Sequence, residues 1–289
     1  RALDAPGGRP TLRLRGLAWK ARGEYERALD DLSEAIELFH GRFALALYDR
    51  GNTYLAMGEL QSAGTDYAAV LDLDSNHSDA LYGAGLVLKE LGNFELALEL
   101  YDAALALEPE NASYLNGRGA AWLALGAYEQ ALIDFTWSIE LDPSYPFPRL
   151  NRAHVFLFEG NEELALEAYA DAISLSPHDP LIAQKVAMAL YQADAMLEVA
   201  LEYIGRAIQI DPSDSRSHLI EARILVSLER PENVKLSLSR SPRLLDDADI
   251  KEVQTMLIST GHYDGPIDGI YSSDMQEAME RCVYDNGCL

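Results

Sequence analysis

Positive charge is what this sequence has least of. It carries 23 Lys and Arg against 47 Asp and Glu, a net charge of −24 at pH 7. A surface that binds nucleic acid or anionic lipid works by neutralising phosphates with Lys and Arg, so both partner classes are disfavoured. Cysteine is almost absent. The two present, Cys282 and Cys288, fall within the last eight residues, which excludes a disulfide framework running through the chain. No run of about 20 apolar residues occurs, so no segment reads as a membrane-spanning helix. The six histidines (His40, His77, His154, His178, His218 and His262) are scattered, with no His-Glu-x-x-His spacing. A Gly-x-Ser-x-Gly elbow, a phosphate loop and a dinucleotide fingerprint are also missing. Catalysis, a metal and a cofactor are therefore not expected.

What is present repeats. Glycine recurs at Gly23, Gly58, Gly92, Gly126 and Gly160, at intervals of 35, 34, 34 and 34 residues. Alanine follows each by five residues, at Ala28, Ala63, Ala97, Ala131 and Ala165, and Ala200 continues the series. A small residue precedes each glycine by seven: Gly16, Gly51, Gly85, Gly119 and Ala153. The sixth unit runs one residue longer, with Ala187 in that place. Four after each alanine stands a large residue: Leu32, Tyr67, Tyr101, Phe135, Tyr169 and Ile204. Proline closes four units, at Pro109, Pro143, Pro177 and Pro212.

These columns describe a pair of antiparallel helices. Small residues let the two helices approach, and the large residue fills the next gap. Glycine ends the first helix in a left-handed cap, and proline stops the second. With its period of 34, this series resembles the tetratricopeptide repeat (TPR) family over roughly residues 11–212, with a decayed seventh unit at about 213–240. The resemblance implies an all-α fold: a right-handed TPR superhelix, or α-solenoid, of six to seven helix pairs. Residues 1–10, with Ala5-Pro6-Gly7-Gly8-Arg9-Pro10, read as a linker, and the chain as a piece of a longer precursor.

Comparing units exposes a second pattern. Arginine precedes the small residue at Arg15, Arg50, Arg118 and Arg152, and sixteen residues later stand Asp31, Asp66, Asp134 and Ala168. The third unit replaces both partners together, with Ala84 and Leu100. An ion pair between the helices of each unit is expected, because losing both partners at once avoids a stranded, partly buried charge. The cluster Asp72, Asp74, Asn76 and Asp79 lacks the glycine and terminal glutamate of a calcium loop and reads as helix capping.

In the TPR family the first helix of each pair lines the inner groove. Carried onto this chain, that places Tyr48, Asn52, Tyr82, Leu86, Lys89, Asn116, Phe147, His154 and Phe158 on the partner-binding face. The lining is mostly apolar and aromatic, without a Lys–Asn–Lys–Arg carboxylate clamp, and suits an apolar or amphipathic segment of a partner. Packing of these same side chains on neighbouring helices is the other reading.

The period stops after Ser241-Pro242. The order Val253-Gln254-x-x-Leu257, then Gly261-x-Tyr263-x-Gly265-Pro266-Ile267-Asp268-Gly269-Ile270-Tyr271, resembles a small peptidoglycan-binding module of bacterial cell-wall proteins over about residues 246–289. Residues 241–289 are accordingly expected to form a small helical module. The resemblance carries a ligand role to Tyr263, Asp264, Asp268 and Tyr271 on the loop. Cys282 and Cys288 stand where that module has apolar core residues, which brings them close enough for a disulfide; free core cysteines and a metal site remain alternatives. Together these readings describe a non-catalytic interaction scaffold of the bacterial periplasm or cell envelope, its terminal module an anchor on peptidoglycan or a cap. The alternatives are a regulatory region of a larger protein with an upstream catalytic domain, and a cytoplasmic adaptor.

Overall fold

The computed structural model describes residues 8–228, 250–251, 254–255, 257–258, 261–270, 272, 274–275, 277–278 and 281. Cys282, Cys288 and Tyr271 lie outside the described residues. Thirteen helices and no strand run through the described part, as an all-α repeat fold requires. The helices are α1 (Gly8–Lys20), α2 (Tyr25–Leu38), α3 (Ala44–Ala56), α4 (Leu60–Leu73), α5 (Ser78–Glu90), α6 (Phe94–Leu107) and α7 (Ala112–Ala124). They continue as α8 (Tyr128–Leu141), α9 (Phe147–Phe158), α10 (Glu162–Leu175), α11 (Pro180–Gln192), α12 (Leu197–Ile210) and α13 (Ser215–Ser227). Helix α1 starts at Gly8, inside the stretch read as linker. Pro10 falls in its first turn, where a missing N–H costs no hydrogen bond.

The chain falls into two compact units, Arg1–Val155 and Phe156–Leu289. In the first, α1 packs on α2, α3 on α4, α5 on α6 and α7 on α8, and α2, α4 and α6 then pack on the first helix of the next pair. First helices also touch one another in succession, α1 on α3, α3 on α5 and α5 on α7. Second helices do not approach each other as closely, so within this unit the first helices line the inner side of the bend. In the second unit α11 packs on α12, and α13 packs on both.

The repeating columns explain this packing. Tyr67, Tyr101 and Phe135 are fully buried. Tyr67 is held between glycines of two successive first helices. A Cβ on Gly51 would lie 3.0 Å from its ring, and one on Gly83 2.7 Å. Tyr101 sits likewise between Gly85 and Gly117, at 2.6 and 3.2 Å. The small columns are thus the sockets for the large column, and each ring joins a pair to its successor.

The first helices end as the glycine column predicts. Gly23, Gly58, Gly92, Gly126 and Gly160 have φ between 74° and 78°. The longer sixth unit has no glycine there, and Asp194 (φ 48°) and Met196 (φ 51°) take the left-handed conformation instead, at a cost of roughly 1–2 kcal/mol for each non-glycine residue. The acidic cluster read as helix capping does not supply the cap of α5: His77 does, its ring accepting from the Ala80 N–H at 3.3 Å. Asp74 accepts from the Asn76 N–H at 3.0 Å, and Asn111 accepts from the N–H groups of Ser113 and Tyr114.

Candidate functional site

Within the first unit, the inner face is a row of aromatic and amide side chains on α3, α5 and α7. Tyr48, Asn52, Tyr82, Leu86 and Lys89 come together there, all half-buried. Tyr48 lies 5.4 Å from the His77 ring and 6.0 Å from Tyr67, and Tyr82 stacks on Tyr114 at 4.9 Å. Burial pushes the hydroxyls of Tyr48 and Tyr82 above the ordinary phenol range, so these groups stay protonated donors. Lys89 is the one cation among residues 51–117, and it pairs with Glu90 at 2.8 Å. The face therefore presents ring edges, aliphatic carbons and little net charge.

Several residues carried onto this face also do structural work. Asn52 accepts a hydrogen bond from the Tyr67 hydroxyl at 2.7 Å. Asn116 is only 8% exposed, and its amide is taken up on both sides. Its Nδ2 donates to Tyr145 at 3.4 Å, and its Oδ1 accepts from Asn151 at 2.9 Å. The structure thus places Asn116 in the wall of the face. Phe147 is half-buried, 5.6 Å from the Tyr145 ring, and His154 is half-buried on α9. Phe158 belongs to the second unit and is 61% exposed.

Comparison of the tyrosine column across units gives an expected result. Tyr67 has Asn52 fifteen residues earlier as its acceptor, whereas Tyr101 has Leu86 there, and its buried hydroxyl finds no hydrogen-bond partner. Tyr67→Phe is expected to cost about 1 kcal/mol, because it strands Asn52 as well. Tyr101→Phe is expected to be neutral or stabilising. Urea denaturation of the two variants reads the difference, and an equal loss in both would contradict the assignment.

The predicted ion pairs form. Arg15 meets Asp31 at 2.6 Å, Arg50 meets Asp66 at 2.7 Å and Arg118 meets Asp134 at 2.7 Å. The three aspartates are 6%, 3% and 2% exposed. Two features of this seam were not read from the sequence. Arg50 also donates to Ser33 at 3.0 Å, and Arg118 to Asp102 at 2.7 Å, so each of these arginines ties its own pair to the preceding one. In the third unit the corresponding positions are Ala68, Ala84 and Leu100, so all three partners turn apolar together. The second missed feature is the pair between Arg13 on α1 and the buried Asp49 on α3. Burial raises the Asp49 carboxyl above the ordinary range, opposed by its bond to Arg13. Asp49 stands two residues before the small column, where Gly83 and Gly117 stand in the next two units and Leu14, Asn151 and Lys185 in the others, so it is the one carboxylate at that position.

The terminal loop, in the second unit, is built around one residue. Gln254, fully buried, donates to Asp268 Oδ1 at 2.8 Å and to the Ile270 carbonyl at 3.2 Å. Its Oε1 accepts from the N–H groups of Asp268 and Gly269 at 3.1 and 3.0 Å. Asp268 is exposed but already engaged, since it also accepts from the Ile270 N–H at 2.9 Å. Tyr263 is 7% exposed, and a Cβ on Gly265 would lie 2.2 Å from its hydroxyl, so its ring packs over that glycine. Of the described loop residues carried over from the resemblance, Asp264 is left exposed without a structural task in the hydrogen-bond network. Ile250, Leu257, Met275 and Ala278 are buried.

Among the described residues, no group of three or more His, Cys, Asp or Glu side chains could hold a metal ion, and no helix is long and apolar enough to cross a membrane.

Comparison with known proteins follows the repeat. A family model described as tetratricopeptide repeat matches residues 13–78, 48–95 and 82–146, and a second of the same description matches residues 149–179, together more than half of the chain. No curated protein matches the sequence. Among solved structures, a tetratricopeptide repeat protein from Parabacteroides merdae is similar at 20% identity and a TM-score of 0.61, over 82% of this chain and 93% of that one. A thermophilic TPR protein of Thermus thermophilus matches at 23% identity and a TM-score of 0.59, over 64% of this chain and 100% of that one. The pilF protein of Pseudomonas aeruginosa matches at 25% identity and a TM-score of 0.51, over 68% of this chain and 90% of that one.

Proposed function

Because this chain belongs to the tetratricopeptide repeat family, we propose that it is a non-catalytic scaffold that holds a partner polypeptide segment against the first-helix face of its repeats. One observation carries the reading: α3 and α5 turn Tyr48, Tyr82 and Leu86 toward that face, while its lone lysine is already paired with Glu90. Such a face favours an apolar or amphipathic segment with few charges. Leu45, 47% exposed at the start of α3, extends it.

The expected result is selective binding of uncharged, Leu- and Phe-containing peptides, followed by fluorescence anisotropy of labelled probes. Leu45→Glu combined with Leu86→Glu should weaken that binding at least about tenfold while circular dichroism shows unchanged helical content. Full affinity in the double variant would move the site off this face.

The proposal extends to the cell envelope of a bacterium, with the terminal module as an anchor on peptidoglycan or as a cap. Its support is the resemblance over residues 246–289 together with the loop latched by Gln254. The full chain is expected to pellet with purified peptidoglycan sacculi, and the Gln254→Ala chain to remain in solution. Equal pelleting of both would detach the loop from any glycan role.

A further inference from the structure

At four corresponding positions the outer helices of the first unit carry polar or small residues, with one exception. On α2 that line reads Glu26, Asp30, Glu34, Glu37; on α4 it reads Gln61, Thr65, Ala69, Asp72; on α6 it reads Glu95, Glu99, Ala103, Ala106. On α8 the same four positions are Glu129, Ile133, Trp137 and Glu140. Ile133 is 61% exposed and Trp137 42% exposed. Two large apolar side chains one turn apart, with a carboxylate at each end, stand where the other repeats have none. The repeat fold does not require them, because α2, α4 and α6 pack without them.

Charge narrows what could cover this stripe. Helices α4, α6 and α8 contain no Lys or Arg at all, and Glu95 and Glu99 add to the carboxylates of Glu129 and Glu140. A second copy of the chain would bring another −24 charges to the contact, and anionic lipid would be repelled for the same reason. The geometry points to a docking site on the outer face of α8 for a cationic amphipathic helix, whose apolar side covers Ile133 and Trp137 and whose Lys or Arg residues meet Glu129 and Glu140. Buried aromatic anchors ringed by charge are the usual centre of such contacts, and the acidic surround supplies attraction that salt weakens. This site lies on second helices, apart from the first-helix face of the proposed function, and stands or falls separately from it.

The test uses the full chain and two synthetic helical peptides that share a Leu stripe, one flanked by Lys and the other by Glu. The Lys peptide is expected to bind, with affinity falling as salt rises, and the Glu peptide to bind at least about tenfold more weakly. Ile133→Gln with Trp137→Gln should cost about tenfold or more in affinity for the Lys peptide. Glu129→Gln with Glu140→Gln should flatten the salt dependence. Leu45→Glu with Leu86→Glu should leave this affinity unchanged. Undiminished binding by the Ile133/Trp137 variant would reduce the interaction to general charge attraction and overturn the site. Self-association of the chain in sedimentation velocity, abolished by the same two changes, would overturn the cationic partner in favour of a second copy.

Discussion

Arg118→Ala is expected to lower the stability of the first unit by about 3 kcal/mol. Its guanidinium makes two bonds to Asp134, at 2.9 and 2.7 Å, and a third to Asp102 at 2.7 Å. The bond to Asp134 raises the Arg118 pKa further above its ordinary value, so the arginine is charged at every accessible pH. Removing it leaves the Asp134 carboxylate, on a residue 2% exposed, without its counter-ion, and breaking a buried pair from one side costs roughly 3–5 kcal/mol. Asp102 is largely solvated and adds little, which favours the lower end of that range. The chain itself supplies the control. Its third unit fills the same three places with Ala68, Ala84 and Leu100, so the seam can close without charge. The triple change Asp102→Ala, Arg118→Ala, Asp134→Leu is therefore expected to recover most of the loss. Urea denaturation distinguishes the cases. A single variant within about 0.5 kcal/mol of wild type, or a triple variant no better than the single, would remove the seam from the account of stability.

Gln254→Ala is expected to have a comparable effect confined to the terminal segment. The side chain answers four polar groups of the loop, among them the N–H of the buried Gly269. Stranding a buried donor costs about 1–3 kcal/mol, and losing the remaining bonds brings the total to about 3 kcal/mol. Hydrogen exchange at Gly269 and Ile270 should accelerate by about two orders of magnitude, while amides of α3 to α7 keep their protection. Protection unchanged at Gly269 would show that the loop is held by something else. Acid is expected to act in the same direction. The Asp268 carboxyl is held below its ordinary value, first by the bond from Gln254 and then by the Ile270 N–H. A carboxylate lowered in the fold stabilises it above its ordinary pKa near 4, and that contribution is lost as pH falls from there through the folded value.

How much was legible follows from what each unit meets. Pro109 and Pro143, the glycine caps and the Arg–Asp columns could be read because they act within one helix pair and recur at a fixed spacing in several pairs. Asp49 was not read, since no other unit has a carboxylate at its position and only its pairing with Arg13 accounts for it. The groove residues were assigned as a list, but the structure divides them. Tyr82 and Leu86 remain half-buried on the inner face, while Asn116 is drawn into the wall by Tyr145 and Asn151. That division depends on two residues 29 and 35 positions away, which a repeat column does not encode.

By itself the sequence determined the helix-pair unit, its near-constant period, the glycine cap that ends the first helix of five units and the ion pairs inside the first, second and fourth. These are local consequences of residue size, backbone freedom and charge, so they recur from repeat to repeat. Only the tertiary structure decided how arginines reach back to Ser33 and Asp102, how Gln254 gathers the terminal loop, and that Ile133 and Trp137 are left in solvent. Each of those depends on which side chains the packing of one helix against another brings within hydrogen-bond reach, or leaves uncovered, and that is a property of the assembled fold.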